Sequence, residues 1–427
     1  MNPLSPHLLP LGAATNSEGK LELHNVGFEE LVQAYGTPLF VYDTDDIVDK
    51  VRRLVGAARW KVAYASKAFL SVALLHILKE FDILLDVASG GELAVARAAG
   101  FPGSRLIFHG NNKSSSELGD AISYGVGLIV VDSFNEIERL VETTVGSKQS
   151  VPVPVLVRVT PGVEAHTHEY IMTGQEDSKF GFSVSSGAAN RAIETILEAE
   201  NLKFMGIHAH IGSQIFLLES FRKEVEALAP LLRDYRPRVI NLGGGIGVAY
   251  LNYEESGDFD IWAKTLTATL DELALDFDYE VIVEPGRAIV ASSALTFYTV
   301  GTLKEVEGVR TYLAVDGGMS DNPRPVIYDS GYEAFLPRAV ASDRDKNFRI
   351  VGKHCESGDV IIKDAFLPGD VVVGDVIATP VTGAYGYSMA SNYNRVPRPP
   401  VVFVNSSGHR LAIRGENYDD LLRLEVY

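Results

Sequence analysis

Lys67 stands just past an apolar run, residues 61–66, in the segment Tyr64-Ala65-Ser66-Lys67-Ala68-Phe69. A lysine carried there enters a partly desolvated place, where the ammonium loses its proton more readily and the amine becomes a nucleophile. Taken alone, the segment also fits a rim lysine with its head in water. The run Gly206-Ile207-His208-Ala209-His210-Ile211-Gly212-Ser213-Gln214 places two histidines two apart, hence on one face of a strand, with Ser213 at the turn. Two imidazoles with no adjoining carboxylate or third histidine make an incomplete ligand set, so no metal is expected. An imidazole facing a planar ligand, or a core histidine, is the better reading. Gly243-Gly244-Gly245-Ile246-Gly247 lets backbone N–H groups converge on an anion without Cβ obstruction. It lacks the Gly-Lys-Ser/Thr ending of a Walker loop and does not give GxGxxG. Glu284-Pro285-Gly286-Arg287 then offers a carboxylate, a tight turn and a guanidinium. Two further polar turns, Asp86-Val87-Ala88-Ser89 and His109-Gly110-Asn111-Asn112-Lys113, read equally well as helix caps.

All of these residues fall at the ends of short β-branched runs. Strands are expected at residues 61–66, 83–87, 105–108, 127–131, 153–159, 204–211, 239–242 and 280–284. Amphipathic stretches at 71–80, 91–99, 133–143, 188–200, 221–232 and 261–273 lie between them as helices. Strands alternating with helices imply parallel βαβ units, and eight of them suggest an α/β fold with a closed (β/α)8 barrel; an open doubly wound sheet competes. In a barrel, catalytic groups gather at the C-terminal ends of the strands, and phosphate sites often follow strands seven and eight. After Arg287 the texture changes to short β runs at 294–300, 312–315, 348–351, 371–373, 376–379, 401–404 and 411–414, which read as a second, mainly β domain. A strand at 39–42 fits either part, and the charged stretch 342–347 reads as a solvated loop.

A reactive lysine, an anion cradle, a strand carboxylate and a stacking histidine share one use. Pyridoxal 5′-phosphate bonds a lysine through its aldehyde, needs fixed N–H donors for its phosphate, and draws electrons only while its ring nitrogen is protonated. A carboxylate such as Glu284 enforces that protonation.

The segments 64–69, 208–214, 241–247, 284–287, 316–328, 355–359 and 384–394, taken in order, resemble the diaminopimelate decarboxylase family, pyridoxal phosphate enzymes of the alanine-racemase-like fold. The similarity runs from about Phe40 to the last ten residues. It implies a (β/α)8 barrel at 43–290, a β domain at 1–42 and 291–427, and a homodimer with shared active sites. It implies that Lys67 is the Schiff-base lysine and that His210 stacks on the ring. Ser213, Gly243, Gly244, Gly245, Pro285, Gly286 and Arg287 lie around the cofactor, Glu284 pairs with the pyridinium, and Tyr385 contacts cofactor and substrate. Cys355, in His354-Cys355-Glu356-Ser357-Gly358-Asp359, matches the residue that reprotonates the decarboxylated carbon, although free cysteines are more often inert core residues. Glu356, Arg324 and Tyr328 match substrate-binding positions, with Arg287 and Tyr385 beside them. Segments 168–174 and 178–181 resemble the subfamily's active-site loop. Arg287 and Arg324 suit a substrate with a distal carboxylate, which arginine grips through paired hydrogen bonds. The implied activity is decarboxylation of meso-diaminopimelate to L-lysine and CO2. A fold relative acting on another amino acid, such as ornithine or arginine, and a catalytically inactive homologue remain as alternatives. An alanine racemase is disfavoured by the Cys355 motif. Asn322-Pro323 before Arg324 departs from the apolar pair common in the family.

The bulk composition narrows the partners. The chain has 427 residues, 46% of them hydrophobic and 22% charged, which excludes a largely disordered protein. Lys+Arg 38 against Asp+Glu 56 leaves a net charge of −18, a poor match for nucleic acid or anionic lipid. One cysteine cannot form an internal disulfide, and neither a secretory leader nor an apolar run of membrane-spanning length is expected, which together suit the cytoplasm.

Overall fold

The computed structural model describes residues 3–56, 59–145, 152–163 and 177–426. They divide into two compact units, Val51–Gly247 with Ser256–Gly286, and Met1–Lys50 with Val248–Glu255 and Arg287–Tyr427.

The first unit is the barrel. Its strands are Trp60–Ala65, Leu84–Val87, Leu106–Phe108, Leu128–Val131, Val153–Thr160, Leu202–Ala209, Val239–Asn241 and Glu280–Val283. Each pairs in parallel with the next, and the eighth returns to the first through Val281 opposite Trp60, so the sheet closes. A ninth, two-residue strand, Phe182–Ser183, pairs beside the fifth. The expected strands match these within two residues, because strands covered on both faces read as unbroken apolar runs. Ala63, Ile107, Val130, Leu156, Val239 and Ile282, from six different strands, meet in one buried cluster. The barrel centre is therefore packed, not a pore. Helices start where serines cap them: Ser71 accepts from the Leu74 amide and Ser89 from that of Glu92. The helix Ser115–Tyr124 lies where the sequence reading placed none, although Ser114 and Glu117 form a complete capping box there.

The second unit is mainly β. Strand Leu39–Asp43 belongs to it, antiparallel to Ala294–Val306 and parallel to Val401–Asn405. The sheet runs on through Arg310–Val315 and Lys346–Val351 to the edge strand Val360–Leu367, while Val376–Pro380 pairs with Ala294–Val306. Three expectations need correction. Residues 371–373 form no strand, because the Asp375 carboxylate accepts the Val372 amide and closes a turn with Gly374 at φ 95°. Val360–Leu367 is a strand that the charged pair Lys363-Asp364 concealed. The stretch 342–347 is not simply a solvated loop: Arg344 is buried, with Nη1 2.9 Å from Glu333 Oε2 and 3.2 Å from the Ala334 carbonyl. Among the described residues, no helix is long and apolar enough to cross a membrane.

Candidate active site

The eighth barrel strand ends at Val283, and the next side chain, Glu284, is buried. His109, at the end of the third strand, holds Oε1 at 2.9 Å through Nε2, and Asn241, closing the seventh, donates to the same oxygen at 2.7 Å. His208, on the sixth strand, places Nε2 3.2 Å from Oε2. Burial alone would raise the Glu284 pKa; the two histidines outweigh it and hold the carboxyl well below its usual range. Because an ionised carboxylate only accepts, both imidazoles donate through Nε2–H. His208 Nδ1 is then a bare, buried nitrogen without a partner among the described residues. Burial pushes the His208 pKa down to about 4, so the ring is neutral.

This arrangement corrects two expectations. The turn after the second strand is a helix cap through Ser89, but Asp86 in it and His109 after the third strand do other work: both are buried, with Asp86 3.7 Å from His109 Nε2. The carboxylate and third histidine that seemed missing around His208 are also present: donor atoms of His109, His208 and Glu284 all lie within 4.8 Å of one another. The hydrogen bonds among them already account for that closeness.

Lys67 lies in the short 3-10 turn Ser66–Ala68 that follows the first strand. It is exposed, which matches the rim-lysine alternative and not the partly desolvated one. It still acts on the interior electrically. Burial lowers the His210 pKa well below its usual value, and the positive charges of Lys67 and Arg158 lower it further. Burial also raises the pKa of Asp86, against the pull of His109 and Lys67. His210, half-buried, comes directly after the sixth strand and accepts the Gly244 amide through Nδ1 at 3.4 Å. Ser213 follows in the next turn, also half-buried.

The glycines after strand seven are there because the backbone has no room. A Cβ on Gly244 would stand 2.2 Å from the Glu284 carbonyl, and one on Gly245 2.2 Å from that of Gly212. Gly243, at φ 60°, gives its amide to Asn241 Oδ1 at 2.9 Å. Gly286 fits equally tightly, its missing Cβ 2.8 Å from the Ala65 carbonyl, and Pro285 accepts the Ala65 amide at 3.3 Å.

The second unit gathers a cationic, aromatic group. Arg287 Nη1 donates to the Tyr250 hydroxyl at 2.7 Å, and its guanidinium lies 4.7 Å from the Tyr385 ring centre. Arg324 Nη1 donates to the Tyr332 hydroxyl at 2.5 Å and its guanidinium stands 4.4 Å from the Tyr250 ring. Burial alone would raise the Tyr250 pKa, but Arg287 and Arg324 reverse the sign and lower it. Tyr328 ends the short helix Arg324–Tyr328. Cys355 and Glu356 are exposed in the loop between strands Lys346–Val351 and Val360–Leu367. Tyr250 and Tyr332 carried no sequence signal of their own; they emerge as partners of the two arginines. Segment 168–174 lies outside the described residues, whereas Phe180 of segment 178–181 packs on Arg158, 4.2 Å from ring centre to guanidinium.

Residues 44–291 match the family described as pyridoxal-dependent decarboxylase, pyridoxal binding domain. The diaminopimelate decarboxylase of Bacillus subtilis (strain 168) is 45% identical over 425 residues, 96% of each chain. The chain belongs to the diaminopimelate decarboxylase family. A second member of this decarboxylase family, from Mycobacterium tuberculosis (strain H37Rv), is 43% identical over 99% of this chain and 98% of its own. The diaminopimelate decarboxylase of M. jannaschii, solved in complex with L-lysine, superposes with a TM-score of 0.90 at 30% identity, covering 98% of both chains.

The residues fit the decarboxylase cofactor. A carboxylate has about four lone-pair positions; three on Glu284 are filled by His109, Asn241 and His208, which leaves one for a ring N–H donor. Gly243, Gly244 and Gly245 lie so close to the carbonyls of Ala209, Glu284 and Gly212 that no Cβ fits, which holds this turn against the backbone that follows Glu284 and the sixth strand.

Proposed function

We infer that this protein removes CO2 from meso-2,6-diaminopimelate, giving L-lysine, with pyridoxal 5′-phosphate as cofactor. The observation that carries this reading is the buried, ionised Glu284 clamped by two imidazoles and an amide inside a pyridoxal-binding barrel. The near-full-length identity to diaminopimelate decarboxylases names the substrate.

When bound, the cofactor supplies an electron sink that takes the pair left by departing CO2. The chain's own groups then have distinct tasks. Lys67 would hold the cofactor through its aldehyde. Glu284 keeps the ring nitrogen protonated, which its depressed pKa favours. His210, held neutral, would face the ring without adding a competing charge. Ser213, Gly243, Gly244, Gly245, Pro285, Gly286 and Arg287 receive the phosphate end, and Tyr385 holds cofactor and substrate. Arg324, with Tyr328 and Arg287, binds the carboxylate that stays, and Glu356 takes the substrate amine. Cys355 delivers a proton to the carbon that lost CO2. We place the barrel at 43–290 and the substrate-binding β domain at 1–42 and 291–427, with Cys355 and Glu356 supplied by a second copy in a cytoplasmic homodimer. The decisive experiment measures CO2 release with added pyridoxal phosphate from diaminopimelate beside ornithine, arginine and lysine. Turnover of diaminopimelate alone is the expected result; preference for a substrate without a distal carboxylate overturns the reading.

A further inference from the structure

The Cys355 thiol is exposed, so side-chain packing does not set its direction. The backbone on either side must do so. On one side His354 is pinned: its amide and Nδ1 lie 2.9 Å and 3.1 Å from Asp359 Oδ2, and the other Asp359 oxygen accepts the Met319 amide at 2.7 Å. The space is filled, since a Cβ on Gly352 would stand 2.2 Å from Asp359 Oδ2. The His354 ring lies parallel to the Tyr393 ring, with centres 5.6 Å apart and planes 3° from parallel. On the other side, the Cys355 amide itself donates to Asn394 Oδ1 at 3.2 Å.

Asn394 holds that position at a cost. Its φ of 52° is left-handed, and Arg395 follows at 57°. Two successive non-glycine residues there carry strain that persists only where the surroundings impose it, and asparagine is among the residues that bear it best. The turn is tied down elsewhere: Asn392 Nδ2 donates to Glu416 Oε2 at 2.6 Å and Arg395 Nη1 to the Leu421 carbonyl at 3.0 Å.

We propose that Asn394, seconded by Tyr393, is a positioning residue for Cys355: the strained turn aims the thiol by holding the amide of Cys355 and the ring of the residue before it. This rests on the reading of Cys355 as proton donor. A misaimed thiol leaves the proton to reach the cofactor side instead. The substrate's amino group then stays on the cofactor, and water releases the decarboxylated skeleton as an aldehyde.

The test compares holoenzyme carrying Asn394→Gly, Asn394→Asp and Cys355→Ala with the unaltered protein. Glycine accepts the backbone angle but removes the acceptor; aspartate keeps both. Two quantities are read: the fraction of turnovers ending with aldehyde and aminated cofactor, and the rate at which iodoacetamide alkylates Cys355, the only cysteine in the chain. N394G is expected to raise the aldehyde fraction about tenfold and to change the alkylation rate, while N394D restores both. An aldehyde fraction raised in C355A but unchanged in N394G overturns the positioning role alone. A fraction unchanged in C355A overturns the proposal together with the proton-donor reading. Absence of CO2 release by the unaltered enzyme instead sinks the proposed function.

Discussion

His109 and Glu284 stand 175 residues apart in the chain, yet Nε2 of one lies 2.9 Å from Oε1 of the other. Their strands are the third and eighth of the barrel, which are not neighbours in the sheet, so the contact spans the interior. With His208 on the opposite oxygen, it decides the charge of the carboxylate.

Replacing that charge tests the assignment. Glu284→Gln keeps the volume but removes the anion and sets an N–H against an N–H donor. The decarboxylation rate is expected to fall roughly 10²-fold or more, comparable with losing a preorganised electrostatic group. Steady-state kinetics with saturating pyridoxal phosphate decide the matter, and a loss below tenfold removes Glu284 from its role.

Acid sensitivity should trace to His208. The folded ring resists protonation until about pH 4, since burial disfavours its charged form, whereas an unfolded histidine takes a proton near pH 6.5. Unfolding therefore binds a proton in this window, and stability declines as pH falls from roughly 6.5 to 4. The swing is about 3 kcal/mol. Denaturant titrations of cofactor-free protein across that range, beside His208→Gln, should show the slope flattened in the variant; equal slopes argue against it.

Glu224 behaves in the opposite sense. It is wholly buried on helix Leu218–Tyr235, both oxygens lack a partner among the described residues, and burial raises its pKa well above the usual value. The folded state keeps a proton that the unfolded chain releases above about pH 4.3, so this group costs stability as pH rises from there. Glu224→Met is expected to gain about 1–3 kcal/mol at pH 8 by removing an unpartnered polar group. Thermal melts at pH 5 and 8 will check it: the gain should shrink at the lower pH.

Arg324 should govern substrate affinity. Arg324→Lys loses the forked donor and the packing over Tyr250. KM for diaminopimelate should rise about tenfold, which corresponds to about 1.4 kcal/mol, with kcat within twofold. A fall in kcat at constant KM would contradict a ground-state binding role.

Much of the site could be read from local pattern. Lys67, Gly243 to Gly245 and Glu284 each sit at the end of an apolar run, and strand periodicity alone finds such ends. Asn241 opened segment 241–247 but was given no role, because an asparagine closing a strand looks like any turn residue; its role exists only through Glu284, 43 positions on. Tyr332 escaped similarly, being defined by Arg324 eight positions earlier. Val360–Leu367 was hidden because an edge strand tolerates the charged pair that masks its apolar pattern.

Sequence by itself determined the alternation of strands and helices, the surplus of negative charge, and which residue types stand at which strand ends. These depend on neighbours a few positions away. Only the tertiary structure decided ionisation: that Glu284 is an anion, that His208 is neutral and that Glu224 keeps its proton. Ionisation depends on burial and on charges within a few Å, and barrel closure sets those distances between residues that the chain keeps far apart.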